Sequence, residues 1–344
     1  MISLMVSGGL ALLLAAFGTP MLIKWFRRRR IGQQIREDGP AMHQGKAGTP
    51  TLGGIAMLGA LVVGYLVSHA GTGVTFSRDG FLVVLATLAA GGIGLIDDLI
   101  KVRNRRSLGL NKRAKFGAQL VVAAGFAFAA VFWAGANTHL SFTRWDLPGT
   151  QLGQPGWLIW AVFVMVGTGN AVNLTDGLDG LASGAATFNF ATLAIIGYWQ
   201  FRHVSIYHVG AALDLAVTSV AFAGACLGFL WWNAAPAKIF MGDTGALAIG
   251  TGLAALVLLM DVQLLLVIIG GLFVLETLSV VAQVVSFRLF HRRVFRMAPF
   301  HHHFELGGWP ETTVIVRFWI LAGLFAAFGL GVFYADFLSV TGIK

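Results

Sequence analysis

The chain alternates long apolar stretches with short polar ones. Stretches near the roughly 20 residues needed to cross a bilayer fall at about 3–26, 52–70, 80–97, 116–136, 157–174, 181–200, 211–232, 245–260, 262–287 and 314–338. Read as helices, they predict an all-α polytopic membrane protein of ten spans, with residues 1–344 forming one unit. The fifth and sixth spans are the least regular, because Asn170, Asn173, Asp176 and Asp179 interrupt them.

Composition strengthens this picture. Hydrophobic residues make up 57% of the chain and charged residues only 11%, against roughly 25% charged in an ordinary soluble domain. The formal charge of +9 would suggest a nucleic-acid partner in a soluble protein. Here the cations read as anchors of cytoplasmic loops, and no nucleic acid is expected. The single cysteine, Cys226, lies in an apolar run and allows no intrachain disulfide. The first run has no cation ahead of it and no small-residue cleavage site, so it reads as a retained span.

An even number of spans places both termini on one side. The connections after spans one, three, five, seven and nine, with their helix ends, hold all but four of the 24 Lys and Arg residues. They include Arg27, Arg28, Arg29 and Arg30, the stretch 101–115, and Arg288, Arg292, Arg293 and Arg296. Arg78, Arg144, Arg202 and Lys344 fall on the other side. The positive-inside rule makes the first side cytoplasmic, so both termini are expected outside. The polar clusters take no part in that assignment, yet they segregate with it. Residues 43–51 follow span one, Asp97-Asp98 closes span three, 173–179 closes span five, 233–243 follows span seven and 301–305 follows span nine. Scattered polar residues would not sort this way, so a single site at that face is expected.

Each cluster has a plain structural reading beside a chemical one. Asp97 and Asp98 would be cheap at a helix end in water, but two adjacent acids repel and oppose the helix dipole there. Nearby Lys101 and Arg103 offset this in part. Asn173-Leu174-Thr175-Asp176-Gly177-Leu178-Asp179-Gly180 carries more Asn, Asp and Gly than a capped turn needs. Its glycines allow backbone to approach a ligand, and a helix start there favours anions. Asp243, in Phe240-Met241-Gly242-Asp243-Thr244-Gly245, is either an N-cap or a metal ligand. Mg²⁺ is commonly held by one or two carboxylates together with phosphate oxygens and waters. His301, His302 and His303 lie far from either terminus in a polar loop and lack zinc-type spacing. They can bind metal or phosphate, or supply a proton. Lys46, Lys112, Arg113 and Lys115 are anchors taken singly, with Lys115 the best candidate for phosphate because it opens span four. Within span nine, Gln283 reads as facing the cytoplasmic cavity and Glu276 as a buried hydrogen-bond partner.

Together these stretches resemble the polyprenyl-phosphate N-acetylhexosamine-1-phosphate transferase superfamily: an acidic pair, Asn-x-x-Asp-Gly-x-Asp-Gly, a later Gly-Asp and a His-rich loop, in that order over nearly the whole chain. Within it the chain is more similar to the phospho-MurNAc-pentapeptide translocase family. Thr49-Pro50-Thr51-Leu52-Gly53-Gly54, residues 170–182 and Ala298-Pro299-Phe300-His301-His302-His303-Phe304-Glu305 carry that likeness, the last most specifically. Leu99 departs from it, standing where an aromatic is common. The resemblance implies Mg²⁺-dependent transfer of phospho-MurNAc-pentapeptide from UDP-MurNAc-pentapeptide to undecaprenyl phosphate, in the bacterial inner membrane. It implies lipid I and UMP as products, and it suggests a homodimer.

By the same likeness Asp97, Asp98, Asp243 and His301 are expected to be catalytic, with Asp243 as the metal ligand. Asp176, Gly177, Leu178, Asp179 and Phe240 would meet the uridine-diphosphate end. Lys46, Thr51, Asn170, Asn173, Asn233, Gln283, His302 and His303 would line the same cavity. Lys101 and Lys115 would shape its charge, and a groove along span nine would guide the prenyl tail. Direct displacement and a two-step route through an aspartyl intermediate both remain open. So do a sister transferase using UDP-GlcNAc and, in another class, a secondary transporter, which would place its polar groups near the bilayer midplane.

Overall fold

In a computed structural model the described residues are 1–29, 31–32, 46, 48–104, 106 and 108–342. Arg30, His43 and Lys344, which entered the expectations above, lie outside them. Ten helices among the described residues are long and apolar enough to cross a membrane. They are α1 (Ile2–Arg28), α2 (Gly54–Thr72), α3 (Arg78–Arg103), α4 (Lys112–Ala129, continued by a wider turn to Ala134), α5 (Gly153–Thr175), α6 (Leu181–Arg202), α8 (Ala212–Asn233), α9 (Gly242–Leu259), α11 (Gly271–Phe290) and α13 (Glu311–Thr341). Three short helices, α7 (Val204–Tyr207), α10 (Leu266–Ile269) and α12 (Phe300–Glu305), and one hairpin, β1 (His139–Arg144) with β2 (Leu147–Gln151), complete the chain. Helices suit this setting because each satisfies its own backbone polar groups where no water is present.

α9 sits at the centre, with every residue from Thr244 to Leu259 buried. It packs between α3 and α5, while α8 packs against α1 and α6. Small residues let these helices approach closely, which is how apolar helices associate without a hydrophobic drive between them. One of the tightest crossings is at Gly94 of α3, where a Cβ would overlap the backbone carbonyl of Asp243. By contrast Phe17, Val121 and Leu278 point outward from α1, α4 and α11 and stay exposed, the surface a bilayer would cover.

Three expectations need correction. Asp97 and Asp98 do not close the third helix, which continues to Arg103. Lys101 sits one turn on and pairs with Asp97, so the acids tolerate an interior position. The run 262–287 is not one helix. Gln263 is buried, donates to the His139 carbonyl and accepts from the Trp160 indole, while Leu264 N–H donates to Ser141 O. That segment is therefore an anchored turn, and the spanning helix begins at Gly271. Finally, the histidine loop folds as α12.

The hairpin lies at the end of the bundle away from the acids. Thr143 Oγ1 donates to Asp336 at 2.7 Å, and Arg144 pairs with the same carboxylate at 3.2 Å. These contacts fasten α13 onto β1, as the Gln263 and Leu264 bonds fasten the 261–265 turn.

Candidate active site

Three carboxylates converge where α3 crosses the start of α9. One oxygen from each of Asp97, Asp98 and Asp243 lies within 4.8 Å of the others. Two ammonium groups balance them. Lys101 Nζ is 2.6 Å from Asp97, 2.7 Å from Asp243 and 3.6 Å from Asp98. Lys115, on the first turn of α4, is 2.6 Å from the same Asp243 oxygen. The adjacent acids do different work because neighbouring helix positions point about 100° apart.

Asp98 is committed to structure. Its carboxylate accepts from the backbone N–H groups of Asp243 and Thr244 and from the Thr244 hydroxyl at 3.2, 3.0 and 2.8 Å. It therefore caps α9 from another helix. Asp243 is not the N-cap; it lies in the first turn, after Met241. Asp97 accepts from Leu110 N–H at 2.7 Å, which fastens the α3–α4 connection over the cluster. Asp243 keeps the most exposed carboxylate of the three, at 12%. Hard oxygen donors this close, with a net negative charge even after two lysines, suit Mg²⁺.

A second polar group joins from α5 and α13. Asp176 closes α5; burial, and then the charges on Asp243, Asp98 and Asp179, push its carboxyl well above the usual range. Asp179 is buried and held from three directions. Lys46 Nζ bridges Asp179 and Glu311 at 2.7 and 2.5 Å, Glu311 also accepts from Asp179 N–H, and Ala237 N–H donates to the other Asp179 oxygen at 2.9 Å. Substituting Lys46→Met would leave two acids facing each other. We expect a loss of about 3 kcal/mol, the low end for breaking a buried pair because Lys46 is 19% exposed, read as a lower melting temperature of the detergent-purified protein.

Thr51 is buried beside the Gly-Asp turn, where the chain is zipped to it. Phe240 N–H donates to Pro50 O, Gly53 N–H to Phe240 O and Gly54 N–H to Met241 O. Asn173 is half-buried one turn before Asp176, and Leu178 is a core residue.

Other predicted residues have structural partners. Asn233 is buried, accepting from Ser183 and donating to Ile239 O. Asn170 donates to Gln119 on α4 at 2.7 Å. Gln283 holds the backbone of Val294 and Phe295 at 3.0 Å. His303 accepts from Arg296 N–H at 3.1 Å, and His302 pairs with Glu305 at 2.6 Å. His301 is fully buried against Gly177.

Comparison with known proteins identifies the family. Residues 81–261 match the family described as glycosyl transferase family 4. The phospho-N-acetylmuramoyl-pentapeptide-transferase of Frankia alni is 49% identical, covering 97% of this chain and 98% of its own. That of Saccharopolyspora erythraea is 50% identical and that of Streptomyces avermitilis 49%, each covering 98% of both chains. This chain belongs to the phospho-N-acetylmuramoyl-pentapeptide-transferase family. It is a transferase and, with its ten spanning helices, a multi-pass membrane protein.

Three residues of this candidate site were assigned no role from the sequence: Thr244, Gln119 and Glu311. Glu311 follows Pro310 in the first turn of α13, where an acid also suits the helix dipole. Nothing in the spacing distinguishes that ordinary role from its bond to Lys46.

Proposed function

We propose that the chain transfers phospho-MurNAc-pentapeptide from UDP-MurNAc-pentapeptide to undecaprenyl phosphate, giving lipid I and UMP. The observation that carries this reading is the meeting of Asp97, Asp98, Asp243, Lys101 and Lys115 at one end of a spanning bundle. Relatives near 50% identity, with that activity in their name, support it. The acid-bearing end is the one rich in Lys and Arg, so it faces the cytoplasm of a bacterial inner membrane and both termini face out. There a soluble nucleotide and a lipid phosphate at the membrane surface can meet.

Asp243, with Asp97 beside it, would hold Mg²⁺ while Asp98 keeps the start of α9 in place; the ion would neutralise the diphosphate and the departing UMP. Lys101 and Lys115 exchange carboxylate partners for phosphate oxygens, offsetting the repulsion between two anionic substrates. A lipid phosphate oxygen, oriented by Asp97, attacks the β-phosphorus, and the bond to UMP breaks. Direct displacement is favoured because both Asp98 oxygens are engaged by α9, while Asp97 has Leu110 N–H on one oxygen and is taken up in orienting the lipid phosphate. Neither stands free as a nucleophile. The turn 176–179 takes the uridine-diphosphate end, and His301 supports it from below.

The test is a radiolabelled transfer assay on purified protein, with UDP-MurNAc-pentapeptide and UDP-GlcNAc in parallel and Mg²⁺ varied. Mg²⁺-dependent lipid product and UMP from the muramyl nucleotide alone are expected. Efficient use of UDP-GlcNAc instead would assign the sister activity. Failure to release UMP from either would reopen the transporter reading.

A further inference from the structure

Glu276 lies inside α11 and is completely buried, yet neither of its carboxylate oxygens receives a hydrogen bond from a described residue. A lone acid there is costly unless a cationic or donating group stands opposite. That group is His301, also completely buried, with Nδ1 3.2 Å from Glu276 Oε1. The two are close without an aligned hydrogen bond. On its far side the same ring meets Gly177, where a Cβ would overlap Nε2. The His302 ring packs against it at 4.2 Å between centroids. A continuous column therefore runs from α11 through one imidazole to the backbone of the turn 176–179.

We infer that Glu276 is a positioning residue that acts through His301. A carboxylate behind an imidazole fixes its orientation and the nitrogen that carries the proton. Here the carboxylate sets Nδ1 toward α11 and presses the Nε2 edge onto Gly177. The height of the turn carrying Asp176 and Asp179 is thereby set by an acid one helix away. An acid retained inside a membrane span fits such a role. The inference rests on the proposed reading that this turn receives the uridine-diphosphate end of the substrate.

The experiment uses the full-length purified protein and calorimetric binding of UDP-MurNAc-pentapeptide, with turnover measured alongside. Glu276→Gln keeps the shape and replaces the carboxyl group by an amide. It should weaken nucleotide binding roughly 10-fold, as small misplacements of a binding element do, and leave the KM for undecaprenyl phosphate unchanged. Glu276→Asp should recover part of the loss. In a His301→Gln background, Glu276→Gln should add nothing, because the effect passes through the ring. Gly177→Ala should mimic Glu276→Gln by displacing the ring from the other side. Wild-type binding in Glu276→Gln would overturn the inference, as would an undiminished further loss in the His301→Gln background. So would a rise in both KM values together with a lower melting temperature, which marks a general packing role. If Glu276→Gln does not fold, Glu276→Asp carries the same cycle. Wild-type protein that binds UDP but transfers nothing would defeat the proposed reaction alone. The cycle run with UDP would still decide Glu276.

Discussion

Replacing Asp243 by Asn is expected to cut transfer by about 10³-fold, several kcal/mol of lost stabilisation in a metal-assisted step, while the protein still folds. The carboxylate is the shared partner of Lys101 and Lys115 and the most exposed member of the acidic trio. The fold does not depend on it, because Asp98 grips the backbone of residue 243 rather than its side chain. Melting temperature should move by only a few degrees, about the effect of 1 kcal/mol. Binding of Mn²⁺ as a Mg²⁺ probe, followed by electron paramagnetic resonance, should weaken in parallel. Near-normal turnover in Asp243→Asn would refute the metal role.

Gly94→Ala is the second large effect and works through backbone. The new methyl would overlap the Asp243 carbonyl, so α3 and α9 must separate by a substantial fraction of an ångström or more. Asp97 and Asp98 ride on α3 and Asp243 on α9, so the separation opens the cluster itself. Misplacement on that scale costs about 10²-fold in rate, although no chemical group has been removed. The control is Gly92→Ala, two residues away, where a Cβ meets nothing within 4 Å. Equal loss in both variants, or none in Gly94→Ala, would show that the crossing does not set the site.

The spans were legible because about 20 apolar residues in a row have one stable solution in a bilayer. The breaks were not. Gln263 reads as a tolerable polar residue in an apolar run, and only the approach of His139 and Trp160 turns it into an anchor. Convergence of the acids at one end was legible from their segregation with Lys and Arg. The division of labour between Asp97 and Asp98 was not, because it depends on where α9 begins relative to α3. Asn233 and Gln283 fell within the right stretches, but their bonds go to Ser183, Ile239 and the 294–295 backbone. Spacing cannot tell a side chain that faces a cavity from one that fastens its wall. Glu311 escaped for the converse reason, being distant in sequence and ordinary in position.

The wrapped interior of α9 bears on traffic. From Gly245 to Leu259 that helix is enclosed by its neighbours, and beyond it β1 is tied to Gln263 and Asp336. Its buried apolar core offers a charged nucleotide no polar path. On the proposed reaction, entrance and exit for the water-soluble partner are one doorway, so spent UMP must vacate before the next sugar nucleotide docks. Accumulating UMP then throttles the cycle by contending for the same berth.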